Sequence, residues 1–212
     1  MPFDLDQLRK RFSEFLPSEV NHPRRSEFTP SAILVPMQIQ NDELNILFTK
    51  RTQSVKHHKG QISFPGGRLE DGESLAQCAL RETEEEIGLP ANQVELWGQL
   101  DETLVITYYR ITPFVGLIPY PFEFTLQSTE TERLIIVPVS KLLDSKAHSM
   151  AVKDFLGRDY AIHFYDVGDE VIWGATGRIL TQFLKIGFDY TPPLYRQFLE
   201  ERKRKEAGVL IG

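Results

Sequence analysis

The residues best suited to chemistry are three glutamates in the middle of the chain, Glu82, Glu85 and Glu86. Because a helix turns by about 100° per residue, it would hold all three within roughly 100° of one another. Carboxylates crowded on one face repel each other and destabilise the helix unless a cation binds there. Hard divalent cations such as Mg²⁺ take oxygen ligands from carboxylates and from substrate phosphates. The spacing therefore predicts a divalent metal site, with a solvated acidic helix face as the alternative.

The residues around these glutamates favour the metal site. A short strand ends just before the glycine pair Gly66 and Gly67, which would let backbone carbonyls approach a ligand. A helix is predicted over residues 74–87, with Gly88 as its C-cap, and its glutamates are expected to face solvent and metal. The face expected to pack on a sheet, offset by roughly 130°, holds Ala76, Leu80, Thr83 and Ile87.

Residues 67–89 resemble the Nudix box, Gly-x5-Glu-x7-Arg-Glu-U-x-Glu-Glu-x-Gly-U, in which U is a bulky aliphatic residue. The matching positions are Gly67, Glu73, Arg81, Glu82, Glu85, Glu86, Gly88 and Leu89. Thr83 stands where the family has an aliphatic residue. Since that position is expected to face the core, the departure should affect packing rather than catalysis.

The resemblance implies metal-dependent hydrolysis of the pyrophosphate bond in a nucleoside diphosphate that is linked to another group. The three glutamates would bind Mg²⁺ or Mn²⁺, helped by the backbone carbonyl of Gly66. Arg81 would orient the carboxylates through charge-assisted hydrogen bonds, and Glu73 would steady the loop before the helix. The metal would neutralise charge on the phosphates and lower the pKa of an attacking water.

A general base on a later loop differs between branches of the Nudix family. In this chain the segment 128–132 offers two glutamates, Glu130 and Glu132. Glu130 is the preferred candidate, and a solvated loop carboxylate is the alternative.

The residues upstream of the box bear on the substrate. Residues 47–67 resemble the signature of the coenzyme A pyrophosphatase branch, Leu-Leu-Thr-x-Arg-[Ser/Ala]-x3-Arg-x3-Gly-x3-Phe-Pro-Gly-Gly. Arg51 matches the first arginine of that signature, and Lys56 replaces the second. Together with His58 they belong to a cationic cluster that could hold a diphosphate or a 3′-phosphate by charge, with a solvated basic loop as the alternative. The cluster comprises Lys50, Arg51, Lys56, His57, His58 and Lys59.

Three functions are compatible with these motifs. The first is hydrolysis of coenzyme A or acyl-CoA to 3′,5′-ADP and 4′-phosphopantetheine or its acyl form. The second is another Nudix pyrophosphatase activity on ADP-ribose, a nucleotide sugar or a dinucleotide. The third is a non-catalytic nucleotide-binding module, which is disfavoured because such modules usually lose carboxylates of the box.

Composition narrows the class of partner. The 212 residues carry a net charge of −6, so the surface as a whole should attract neither nucleic acid nor an anionic membrane. One cysteine, Cys78, excludes an intramolecular disulfide. No apolar run approaches the roughly 20 residues that span a bilayer, and the chain is expected to be cytoplasmic. Many Nudix proteins pair through strands or helices, so the resemblance is compatible with a homodimer.

The elements that must position these residues can be predicted from periodicity and turn signals. An N-terminal helix and connector are expected over residues 1–30, a Nudix hydrolase domain over 31–190 and a C-terminal helix over 191–212. Asn41 and Asp42 form a good hairpin turn. Trp173 is expected in the core, with stacking on an adenine as the alternative. The order of elements is typical of an α/β protein with a mixed sheet, and the resemblance implies a Nudix-type α/β/α sandwich with parallel and antiparallel strands. The predicted helices cover residues 5–16, 74–87, 176–188 and 193–207, and the strands 31–40, 43–51, 62–64, 93–101, 109–119, 133–138, 161–165 and 171–173.

Overall fold

A computed structural model describes residues 3–53, 59–155 and 158–206. The chain divides into two compact units, one up to Ser140 and one from Lys141 onward. Among the described residues, no helix combines the length and apolar character that a membrane span requires. The domain limits expected from the sequence stay predictions.

The first unit is built around a mixed sheet. Its helices are α1 (Leu5–Ser13) and α2 (Leu75–Ile87), and α3 (Val139–Leu142) begins at its end. Its strands are β1 (Thr29–Gln40), β2 (Glu43–Arg51), β3 (Ile62–Ser63), β4 (Gly66–Arg68), β5 (Glu95–Gln99), β6 (Thr103–Leu104), β7 (Tyr109–Leu117) and β8 (Thr131–Pro138). Short 3₁₀ turns occur at Arg25–Glu27 and Ala91–Gln93.

The described strands of this unit form one eight-stranded sheet whose central path runs β3-β2-β1-β7-β5. Strand β1 pairs in parallel with β7 and antiparallel with β2 and β4. Helix α2 packs on β1, and most side chains of this strand are buried, as its apolar composition requires. This arrangement confirms the predicted α/β class with a mixed sheet.

The hairpin between β1 and β2 follows directly from its turn residues. Asn41 and Asp42 have φ values of 53° and 59°, the left-handed conformation that a two-residue hairpin turn needs. Gln40 and Glu43 face each other across the turn.

Helix α2 begins and ends where its capping residues predict. Ser74 and Gln77 form a reciprocal capping box, and Gly88 ends the helix with φ of 71°. The buried face of the helix differs in part from the prediction, because Ala76 and Leu80 are only half-buried. The two small residues Cys78 and Ala79 pack on Ala32 of β1 instead, so the helix is rotated toward them. The buried residues of the helix are Cys78, Ala79, Thr83, Glu86 and Ile87.

Thr83 replaces the aliphatic residue of the box without an unsatisfied polar group. It is fully buried, and its hydroxyl donates to the carbonyl oxygen of Ala79 at 2.7 Å. The departure from the motif is therefore accommodated within the helix.

The second unit contains an antiparallel three-stranded sheet of described strands, ordered β11-β10-β9. The elements are β9 (His148–Phe155), β10 (Arg158–Asp166), β11 (Val171–Trp173), α4 (Gly174–Phe188) and α5 (Pro193–Glu206), with a 3₁₀ turn at Ser145–Ala147. Helix α4 packs on β10 and β11. Strand β9 was not among the predicted strands.

The expectation that Trp173 lies in the core is wrong. Ile172 is fully buried, and Trp173 is 44% exposed. Since side chains alternate between the two faces of a strand, burying Ile172 turns Trp173 to the other face. There its ring stacks on Phe164, with centroids 6.4 Å apart.

Candidate active site

Two glycines let strand β4 lie against both the sheet and helix α2. A Cβ on Gly66 would collide with the backbone of Ala32 and Ile33, so only glycine permits the pairing with β1. A Cβ on Gly67 would collide with the carboxylate of Glu82. The glycine pair therefore creates the space in which a carboxylate of α2 lies beside the backbone of β4.

Glu86 differs from the expectation that it faces solvent. Its residue exposure is 4%, and its Oε2 atom finds no hydrogen-bond partner among the described residues. Burial raises the pKa of Glu86 to about 8; Arg51 opposes this shift, and the nearby Glu82 and Glu130 add to it. The cause is the rotation of α2 toward its small residues, which carries Glu86 onto the buried face, between Cys78 and Ala79 around the helix axis. A buried carboxylate oxygen without a partner is a ready ligand for a hard cation.

Arg81 ties the loop after β4 to the helix and also contacts the other two glutamates. Its Nε and Nη2 atoms donate to the two carboxylate oxygens of Glu73 at 3.0 and 2.8 Å. Its Nη1 atom lies 2.9 Å from Oε1 of Glu82 and 3.3 Å from Oε2 of Glu85. The bidentate contact between Arg81 and Glu73 lowers the pKa of Glu73 to about 2. These are the contacts required by the expected roles of Arg81 as an orienting residue and Glu73 as a loop anchor.

Glu82 and Glu85 differ in their exposure to water. The side chain of Glu82 is 19% exposed and that of Glu85 is 55% exposed. Burial raises the pKa of Glu82; Arg81 opposes the shift, whereas Glu85 and Glu130 add to it. The solvent exposure of the three carboxylates of α2 therefore increases from Glu86 to Glu82 to Glu85. Such a gradient suits a cation that is bound by the protein on one side and by a substrate from solvent on the other.

A β-bulge separates the two candidates for the general base. Lys50 is opposite Arg133, whereas Arg51 is opposite Thr131, so Glu132 is the extra residue of β8. Glu132 lies 3.8 Å from the ammonium of Lys50. Glu130 instead lies 3.4 Å from Nη2 of Arg51. The two glutamates therefore pair with adjacent residues of β2, whose side chains point to opposite faces of the sheet.

Arg51 connects Glu130 to the glutamates of α2. Its Nη1 atom lies 3.8 Å from Oε1 of Glu86, and its Nη2 atom contacts Glu130. Arg51 was expected to bind substrate, and the structure shows its guanidinium directed at two carboxylates of the protein. Nothing in the sequence indicated this pairing, because it depends on the register of β2 and β8.

Two further candidates for substrate binding, Lys56 and His58, lie outside the described residues, as does His57. Lys59, which follows them, is exposed. Lys50 is paired with Glu132, as described above.

The donor chemistry of the site fits a divalent cation in an open arrangement. Within the described residues, no three histidine, cysteine or acidic side chains converge as in a closed metal site. The reason is that Arg81 lies between Glu82 and Glu85, while Glu86 is directed toward Arg51. Mg²⁺ is often held by only one or two carboxylates, with substrate phosphates and waters as its other ligands. The oxygen ligands, the buried unpartnered oxygen and the open face suit such a cation.

A cleft of about 390 Å³ lies on another side of α2. Its walls include Arg81 and Glu85 but neither Glu82 nor Glu86. The cleft therefore borders the carboxylate cluster without containing it. Its remaining walls are formed by Gln77, Leu80, Glu84 and Ala91.

Comparison with known proteins identifies the family. The family model of the NUDIX domain matches residues 28–153. The Nudix hydrolase NudL of Yersinia pestis (strain Pestoides F) is 32% identical over 184 residues, which cover 83% of this chain and 91% of the relative. NudL of Yersinia pseudotuberculosis serotype O:1b has the same identity and coverage.

Similarity to solved structures extends to the fold. A MutT/nudix family protein from Enterococcus faecalis aligns with a TM-score of 0.51 and 13% identity, over 92% of this chain and 74% of that one. A fold of this kind, with the complete set of box carboxylates and their arginine on α2, agrees with the family match. The chain belongs to the Nudix hydrolase family and is a pyrophosphohydrolase.

Proposed function

We propose that this Nudix hydrolase cleaves the pyrophosphate bond of coenzyme A or acyl-CoA, with Mg²⁺ or Mn²⁺ as cofactor. The products are 3′,5′-ADP and 4′-phosphopantetheine or its acyl form. The observation that carries the proposal is the segment 47–67, which resembles the coenzyme A pyrophosphatase signature and leads directly into the box. Its cations stand out in a chain with a net charge of −6.

In the proposed site, some residues bind the metal ion and others hold those ligands in position. Glu82, Glu85 and Glu86 would hold the cation, together with the carbonyl oxygen of Gly66. The bound cation supplies charge neutralisation on the diphosphate and lowers the pKa of the attacking water. Arg81 keeps two of these carboxylates in place through contacts of 2.9 and 3.3 Å.

Glu130 is the group proposed to take the proton from the attacking water. The oxygen of that water forms a bond to one phosphorus of the diphosphate, and the bond from that phosphorus to the bridging oxygen breaks. The bridging oxygen leaves with the other phosphate, and the proton of the water goes to the carboxylate of Glu130. The influence of Glu130 on the pKa values of Glu82 and Glu86 supports its assignment to the same site.

The substrate can be tested with the purified protein and either Mg²⁺ or Mn²⁺. Coenzyme A, dephospho-coenzyme A, ADP-ribose and a diadenosine polyphosphate are incubated separately, and products are identified by mass. Release of 3′,5′-ADP from coenzyme A, well above turnover of the others, is the expected result. Preference for ADP-ribose or the dinucleotide would retain the pyrophosphatase chemistry and reject coenzyme A. A protein that binds these nucleotides without turnover would be a binding module.

The basic segment provides a second test of the substrate. Substitution of Lys56→Ala should raise KM for coenzyme A about tenfold and leave KM for dephospho-coenzyme A and ADP-ribose within about twofold, because a charge-assisted contact to the 3′-phosphate is lost. Lys185→Ala, at an exposed position outside the cationic cluster, is the control. Equal effects on all three substrates would mean that Lys56 does not read the 3′-phosphate.

A further inference from the structure

We propose that Arg51 is a positioning residue that holds the carboxylate of Glu130 in place as the general base, and that it does not bind the substrate phosphates. The inference rests on the proposed function, in which Glu130 accepts the proton of the attacking water. It changes the role that the coenzyme A signature implied for this arginine.

The contacts of Arg51 support this role. Its side chain is 25% exposed, and its guanidinium joins the nearly buried Glu86 to the more open Glu130, at 3.8 and 3.4 Å. A guanidinium is planar and has several fixed N–H donors, so one arginine can pair with two carboxylates from different elements. These two carboxylates partly neutralise the positive charge of Arg51, which weakens its attraction for a phosphate.

Hydrogen bonds to the main chain also fix the position of Glu130, and they come from the residue that follows Arg51. The amide of Thr52, the residue after Arg51, donates to the carbonyl oxygen of Glu130 at 2.8 Å. The hydroxyl of Thr52 donates to the carbonyl oxygen of Thr129 at 3.0 Å. Arg51 itself is anchored, because its amide donates to the carbonyl oxygen of Gln61 at 2.9 Å. One end of β2 therefore holds both the main chain and the side chain of the proposed base.

The bulge at Glu132 determines which glutamate reaches Arg51. A shift of one residue exchanges the two faces of a strand, and bulges re-aim side chains in this way. With Glu132 as the extra residue, Glu132 goes to Lys50 and Glu130 goes to Arg51. The local backbone is thus arranged so that Glu130 is presented to the glutamates of α2.

Electrostatics gives a reason for a permanent cation at this point. Glu86 and Glu130 are both directed at the guanidinium of Arg51, which brings two like charges close together. A base carboxylate in that field would turn toward solvent unless a positive charge held it. Arginine stays protonated at all physiological pH values, so its effect persists through the reaction cycle.

A double-mutant cycle tests the inference. We expect Arg51→Met to lower kcat by about 10- to 100-fold with KM within about threefold, because misplacing a general base affects the chemical step. In a Glu130→Gln background the same substitution should lower kcat by less than about threefold, since the base is already lost. Arg51→Lys should keep more activity than Arg51→Met, because a cation remains. A KM that rises more than about tenfold in both backgrounds would assign Arg51 to the substrate and overturn the inference.

Binding of Mn²⁺, followed by electron paramagnetic resonance, provides a readout independent of turnover. All variants should bind Mn²⁺ within about threefold of wild type, because the proposed ligands are intact. A loss above about tenfold in Arg51→Met would show that the arginine serves Glu86 and the metal instead. Arg9→Met, which removes a cation that pairs with Glu95 at 2.6 Å outside the site, is the control and should keep kcat within about twofold.

The outcome for Arg51 can be separated from the outcome for the substrate. The cycle is measured on whichever diphosphate the wild-type enzyme hydrolyses fastest. If ADP-ribose is preferred, the proposed coenzyme A activity fails, and the cycle still decides the role of Arg51. If Glu130→Gln retains full kcat on that substrate, Glu130 is not the base and the inference is overturned.

Discussion

Glu86 combines a carboxylate needed for chemistry with a position that disfavours its charge. It is 4% exposed, with one oxygen unpartnered among the described residues. We expect Glu86→Gln to lower kcat at least about 100-fold, because a proposed metal ligand is lost. The unfolding temperature without added metal should stay the same or rise, since an amide is less costly to bury than a carboxylate. A turnover assay measures kcat, and thermal unfolding without metal measures the unfolding temperature.

The matched control for Glu86 is a glutamate on the same helix that faces away from the cluster. Glu84 is exposed and accepts a hydrogen bond from the amide of Ala91, which a glutamine can also accept. Glu84→Gln should leave both turnover and unfolding temperature near wild type. Full turnover of Glu86→Gln, or a clear fall in its unfolding temperature, would contradict the assignment.

Gly67 controls the position of Glu82 by leaving space for its carboxylate. In Gly67→Ala, the new methyl group collides with the end of a flexible side chain, so the carboxylate moves while the backbone does not need to. We expect turnover to fall at least about tenfold, as for loss of support to a metal ligand. The loss of unfolding free energy should be about 1 kcal/mol or less.

A variant at Gly72 is the control that distinguishes this steric effect from the effect of backbone strain. A Cβ there meets no described atom within 4 Å, but φ is 89°. Gly72→Ala should therefore cost stability through strain and leave turnover within about threefold. If Gly67→Ala had wild-type turnover, Glu82 would not need its present position.

At the scale of elements, the capping box of α2 should contribute stability but not chemistry. Ser74→Ala removes the side-chain acceptor for the amide of Gln77 and should cost about 1 kcal/mol of unfolding free energy. For a chain of this size, that lowers the unfolding temperature by roughly 2–4 °C. Turnover should stay within about twofold, because the glutamates lie more than two turns further along the helix.

A conservative variant tests whether the cap itself is responsible. Ser74→Asp keeps an acceptor oxygen at the N-cap and adds a favourable charge at the positive end of the helix dipole. It should restore the unfolding temperature to at least that of wild type. An unfolding temperature as low as that of Ser74→Ala would mean that the hydroxyl contributes through another contact.

The elements predicted correctly are those whose limits are set by nearby residues. The hairpin at Asn41 and Asp42 and the end of α2 at Gly88 depend on turn and capping chemistry within a few positions. Strand β4 was not among the predicted strands, because its strand character arises only from pairing with residues 31–33 of β1. Strand β9 has no clear alternation and is defined by its pairing with β10. Contacts between distant segments are not encoded in a local pattern.

The same distinction applies to the site. The spacing of Glu82, Glu85 and Glu86 and their arginine could be read from the sequence. The burial of Glu86 could not, because it depends on Cys78 and Ala79 letting the helix rotate on β1. The bulge at Glu132 likewise depends on the register between β2 and β8.

At the scale of the whole molecule, charge is distributed unevenly along the chain. The net charge is −6, while residues 50–59 contain several cations in sequence. A polyanion would meet overall repulsion, whereas a small nucleotide with several phosphates could be attracted locally. This distribution favours a small-molecule substrate for the site.

The second unit contains a buried histidine pair that should make stability depend on pH. Nε2 of His148 and Nδ1 of His163 are 3.0 Å apart, and the two residues are 5% and 2% exposed. One nitrogen must donate and the other accept, so the pair cannot be doubly protonated and keep this bond. Burial lowers the pKa of His148 to about 4 and that of His163 to about 3, with His148 and Arg178 adding to the second shift.

These pKa values fix the sign of the dependence. Histidines in the unfolded chain titrate near 6.5, so between pH 6.5 and about 4 the unfolded state binds more protons than the folded state. Stability from the pair is complete above pH 6.5 and decreases as pH falls, by up to about 1.4 kcal/mol per pH unit for each histidine. We expect His163→Phe, compared with wild type by thermal unfolding from pH 8 to 5, to show a shallower decline below pH 6.5.

Thr181→Val is the control, because it removes the 2.8 Å contact with Tyr165 without removing a histidine. It should lower the unfolding temperature at every pH and leave the slope unchanged. Equal slopes for His163→Phe and wild type would mean that the pair is not the source of the acid sensitivity.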